Sequence, residues 1–209
     1  RSLSPEDGKS FYCNSSRDQY THYVYAAVRF YDSELSDEMQ KETVRRTLVN
    51  LAKKCLREVT PENGYMLLRA DGKESLVNTM WGNLGPHEFL RLPMFYLAAF
   101  HVTGDKKWQT EYLKYRDEAI QKSHGFDYNA SRSYCALQMA YSLRLVYDLD
   151  ADEAVRGELL SLLKETAAYG LPHALENGKA LCQASARDSF NFTYKKWYEV
   201  APMKDLGVI

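Results

Sequence analysis

The sequence predicts an all-α protein assembled from antiparallel helical hairpins. Three observations carry that expectation. Six stretches place apolar residues at three- and four-residue spacing, the mark of a one-sided helix. The links inside successive pairs are short, and each offers an acidic residue where the next helix begins, as the positive end of a helix dipole favours. The odd-numbered stretches are richer in aromatic and apolar residues and the even-numbered ones are amphipathic, so the pairs divide into an inner and an outer layer.

The first helix is expected over Arg17–Tyr31 with Ser16 as its N-cap, its apolar face formed by Tyr20, Tyr23, Val24, Ala27, Val28 and Tyr31. The second begins near Asp37, buries Val44, Leu48, Leu51, Cys55 and Val59, and stops at Pro61 and Gly64. The third covers Glu88 to Val102 and is apolar nearly all round, so it should be buried on most sides; Pro93 is a competing start point. After Gly104-Asp105 a fourth helix carries Trp108, Tyr112, Tyr115, Ala119 and Ile120 on one face. The fifth spans Ala130 to Tyr147, and the sixth runs from Asp152 to Tyr169 with Val155, Leu159, Leu162, Leu163 and Thr166 inward.

Two long connections, 61–86 and 170–186, separate one hairpin from the next. The first is expected to hold a small β-hairpin, with Tyr65–Arg69 as a strand and Ala70-Asp-Gly-Lys73 as its turn. An internal echo links Cys13-Asn-Ser-Ser-Arg17-Asp18-Gln-Tyr20 to Cys182-Gln-Ala-Ser-Ala-Arg187-Asp188-Ser-Phe190, so the second copy is expected to open a seventh helix of the inner type. Residues 1–209 are read as one domain.

Composition narrows the function. The 27 basic and 28 acidic residues nearly cancel, which argues against a nucleic-acid binder and its basic stripe. No apolar run approaches the ~20 residues of a membrane span. Cys13, Cys55, Cys135 and Cys182 lie far apart with no CxxC pair, and Cys55 and Cys135 read as buried small hydrophobes. Asn14, Asn129 and Asn191 head glycosylation-type triplets. His87-Glu88-Phe-Leu-Arg91 begins like a zinc-protease motif but has Arg where the second His belongs. No P-loop, dinucleotide fingerprint or nucleophile elbow occurs, and no cofactor is implied. The 16 tyrosines stand out: a flat apolar face with a polar tip suits both interhelical packing and stacking on sugars.

Repeated hairpins with an apolar inner layer, together with Phe95-Tyr-Leu-Ala-Ala-Phe-His-Val-Thr-Gly-Asp105-Lys-Lys-Trp108, resemble the six-hairpin glycosidase superfamily of (α/α) toroids. The resemblance extends over most of the chain in pattern and over this one stretch in wording. It implies carbohydrate processing by hydrolases or lyases, and a periplasmic or secreted location. With six or seven helices against the six hairpins of a full ring, the chain is expected to be an arc of a larger toroid or a shortened relative. A noncatalytic helical-repeat module is the alternative from another class.

In such a ring the loops ahead of the inner helices converge, so the candidate residues are the polar ones at those entries. Glycosidic hydrolysis uses two carboxyl groups about 5–10 Å apart. Asp18, Glu88 and Asp127 are the candidate acids, with His87 as a proton-transfer group. Arg17, Tyr20, Trp81, Asn83, Arg91, Asn129, Arg132, Tyr134 and Asp188 are the candidate sugar-binding residues. A lyase would instead use His87 or Tyr134 as base and acid, with Asn83 or Arg91 neutralising a uronate. An acidic residue in a first helical turn is also favoured by the dipole alone, and the Arg-Asp pairs at 17–18 and 187–188 also read as structural ion pairs.

Overall fold

A computed structural model of the chain describes residues 2–3, 8, 10–11, 16–75, 77–127 and 133–168. Ser2–Leu3 (β1) and Ser10–Phe11 (β2) form a two-residue antiparallel pair. The remainder is helical: α1 Arg17–Tyr31, α2 Glu38–Glu58, α3 Arg91–Thr103, α4 Lys106–Ser123, α5 Ser133–Leu149 and α6 over 153–168. The echoed segment 182–190, the connection 170–186 and the triplets at Asn14, Asn129 and Asn191 lie outside the described residues.

The helix ends follow their capping chemistry. Ser16 takes the Gln19 backbone N–H on its side chain while the Gln19 side chain accepts from the Ser16 N–H, closing a capping box. Asp37 and Gln40 do the same for α2. Asp105 caps α4 through the Lys107 N–H, and Asp152 receives the N–H groups of Ala154 and Val155. Each of the three short links thus ends on an aspartate that satisfies orphan N–H groups of the outer helix.

The third helix starts later than its apolar pattern suggests. Pro86–Glu88 form a separate 3-10 turn, and α3 begins only at Arg91. Pro93 then falls in the first turn, where its missing N–H would have had no helical partner. In 61–86 the expected turn is present, with Arg69 and Lys73 paired at 2.8 Å and Gly72 at φ 75°. The flanking chain makes only the isolated bridge Met66–Thr79, with hydrogen bonds from Leu67 to Asn78 and from Met80 to Tyr65.

Side-chain contacts fix the directions. Asp18 meets Arg91, Tyr20 meets Phe95 and Asp32 meets His101, so α1 and α3 run parallel. His22 and Tyr25 meet Tyr141 and Arg29 meets Asp148, so α5 runs parallel to both. Each of α1, α3 and α5 touches the other two, and α2 and α4 pack on α3 from outside. The core sits around α3, which is buried from Arg91 through Ala99. The inward faces read from the sequence hold in α2, where Val44, Leu48, Leu51, Cys55 and Val59 are all buried. Tyr23 is the exception in α1: it is 46% exposed, on the edge of the apolar stripe.

A polar network where the inner helices begin

Parallel inner helices bring their N-termini to one end of the molecule, and the side chains of those first turns meet there. Arg91, 1% exposed, is the centre. Its guanidinium forms an ion pair with Asp18 Oδ1 at 2.9 Å and donates to Glu88 Oε1 at 3.0 Å and to the side-chain oxygen of Gln138. One arginine therefore joins α1, the turn before α3, and α5. Arg17 donates from its Nε to the same Glu88 oxygen. The other Glu88 oxygen accepts the Gly85 N–H at 2.9 Å. The planar five-donor guanidinium suits this branching task, and it keeps its charge despite burial, which pulls its pKa down from the ordinary arginine value against Asp18 and Glu88.

His87 lies beside this group, its Nε2 3.8 Å from Glu88 and its ring edge-on to Phe126. Burial lowers its pKa below 6.5, against the opposing pull of Glu88, and Arg91 adds to the lowering. Gly85 makes this packing possible, because a Cβ there would lie 3.0 Å from the His87 ring. His22, one turn along α1 from Asp18, is likewise lowered by burial, with Asp18 opposing.

Asp18, Glu88, His87, Arg17 and Arg91 are thus brought together. Their availability differs. Asp18 keeps a side chain 39% exposed, whereas Glu88 is buried with both oxygens engaged. Glu88 is a positioning residue rather than a free acid. Arg91 is held by three protein partners and is 1% exposed, and its Nε has no hydrogen-bond partner among the described residues. Asp127 and Asn83 are exposed, Asp127 directly after the Phe126 that packs on His87. Tyr20 is half-buried against Phe95. Trp81 does not form a platform beside His87: it is 8% exposed, edge-on to Phe89 and Tyr115, and lines a separate cleft on the flank. Asn129, Arg132, Asp188 and the Tyr134 side chain lie outside the described residues.

Gln138 and Tyr141 were not foreseen. The available signal was a glutamine within an otherwise apolar inner helix, where a buried amide needs a partner. Among the described residues no cluster of three His, Cys, Asp or Glu could hold a metal ion, and no helix is long and apolar enough to cross a membrane. No family model, curated protein or solved structure matches the chain.

Proposed function

We propose that the protein is carbohydrate-active and acts as a glycoside hydrolase on oligosaccharides or polysaccharides, with the sugar entering where α1, α3 and α5 begin. The observation that carries this reading is Asp18, a partly open carboxylate braced by a buried arginine at the meeting point of three helix N-termini. A single guanidinium holds both Asp18 and Glu88, so Glu88 and Arg91 together fix the position of Asp18. With Glu88 buried and engaged on both oxygens, the more exposed Asp18 and Asp127 are the acids this reading assigns to the substrate. One protonates the leaving glycosidic oxygen while the other draws a proton from the attacking water, and His87 is placed to hydrogen-bond the sugar.

The hairpins themselves support a relative of the (α/α) toroids. Contact between α1 and α5 tells against a wide hollow, because a six-hairpin ring would hold these helices apart on either side of α3. The reading is therefore a tightly wound relative. A lyase is less well supported, since Arg91 is 1% exposed and so is not open to a uronate.

Reducing-end release from a panel of neutral and uronate-bearing oligosaccharides tests the proposal. Turnover by the wild-type chain should fall at least a hundredfold in Asp18→Asn with the fold retained. Absence of turnover on every substrate, or full activity in Asp18→Asn, removes the hydrolase reading.

A further inference from the structure

A second feature shares no residue with the entry network. Between the C-terminal end of α2, the 61–86 connection and α4 lies a cleft of about 320 Å³, lined among others by Tyr65, Trp81, Tyr96, Tyr115 and Lys114. That volume is at the small end of ligand sites, enough for one ring. Four of its lining side chains are aromatic. Tyr96 and Tyr115 stack at 6.1 Å, and Trp81 meets Tyr115 edge-on at 4.7 Å. Lys114 sits over Tyr115, 5.3 Å from the ring centre.

Tyr65 is the odd member. Among the described residues it is the one non-glycine with a positive φ, 57°, a left-handed conformation that a tyrosine side chain disfavours. Nor does its ring join any of the aromatic pairs among the described residues. Instead it lies against Gly82, where an added Cβ would come within 3.3 Å of it. Strain at Tyr65 and a glycine at 82 (φ 87°) together set an aromatic ring, half-buried against the core, on the wall of the cleft. The polar tips are also unspent. The indole N–H of Trp81 and the hydroxyls of Tyr96 and Tyr115 make no hydrogen bond to protein among the described residues.

We propose that this cleft is a saccharide-binding subsite that takes a single pyranose ring. The C–H face of the sugar packs on Tyr65, while the indole N–H, the phenol groups and the Lys114 ammonium at the rim hydrogen-bond to its hydroxyl and ring oxygens. The subsite is noncatalytic, and it stands whether or not the Asp18 region hydrolyses anything.

Calorimetric titration with cellotetraose, chitotetraose and tetragalacturonate, each as a separate probe, tests it on the full chain. At least one probe should bind the wild type and bind Asp18→Asn equally, which separates this subsite from the entry network. Tyr65→Gly removes the ring and relieves the positive φ together. It should weaken that binding at least tenfold while the far-ultraviolet circular dichroism of the wild type is retained. Failure of all three probes to bind the wild type overturns the proposal. So does undiminished binding by a folded Tyr65→Gly.

Discussion

Replacing Arg91 by Met keeps a long apolar stem and deletes the guanidinium, so the loss can be worked interaction by interaction. The bond to Gln138 joins two buried groups and is worth about 1–1.5 kcal/mol. The pair with Asp18 involves a side chain 39% exposed and contributes no more than about 1 kcal/mol. The pair with Glu88 is buried on both sides, and orphaning one member of such a pair costs about 3–5 kcal/mol. Glu88 keeps Arg17 and the Gly85 N–H, so only part of that penalty applies. The expected total is about 3–5 kcal/mol, a fall in melting temperature on the order of 6–20 °C for a chain of this size. Arg91→Lys retains the charge but cannot reach three partners at once, and should lose about half as much. Urea unfolding followed by circular dichroism measures both, and Glu88→Gln combined with Arg91→Met should show a coupling of at least about 1 kcal/mol. A change within about 0.5 kcal/mol for Arg91→Met, or no coupling to Glu88, would refute the assignment of Arg91 as the joint between the inner helices.

Two further outcomes follow from other parts of the fold. Tyr112 donates its buried hydroxyl to Asp150, and burial first, then that hydrogen bond, push the phenol pKa up; Tyr112→Phe should cost about 1.5–3 kcal/mol in urea unfolding, with a neutral result showing the bond to be dispensable. His87 has its pKa lowered from 6.5 chiefly by burial, so below that pH the unfolded chain takes up the proton before the folded one does. Stability should therefore be level above that pH and decline as pH falls from about 6.5 toward the folded value of His87; His87→Gln should reduce this slope, and an unchanged slope would place the titration elsewhere.

The parts of the fold legible in the sequence were those set by local chemistry. Arg17–Tyr31 is delimited by a serine cap and a helical apolar stripe, and both are visible in the residues themselves. Three link aspartates announced three outer helices in the same way. The start of α3 misled because Phe89 and Leu90 continue the apolar run across a break between the Pro86–Glu88 turn and Arg91, so periodicity could not locate the boundary. At the site, Asp18 and Glu88 could be placed at one end because both precede or open an inner helix. Their difference in availability could not be read, since it depends on Arg17 and Arg91 arriving from separate hairpins. The flank cleft was hidden for a related reason. Tyr65 adopts a conformation that residue type disfavours, and Trp81 turns toward α4 rather than toward its neighbour His87.

Three-way bonding at Arg91 has a consequence for how the molecule comes apart. Arrays of helical hairpins ordinarily gain stability one unit at a time, each repeat leaning only on its neighbours, and they can fray from an end. Here positions 18, 88, 91 and 138 must all be in place before the guanidinium has its three partners, and until then its burial is unfavourable. The first and third hairpins are thereby tied to each other as well as to the second. Unfolding should be a single cooperative event across α1 to α5, and a chain cut after the second hairpin should be less stable than two thirds of the whole.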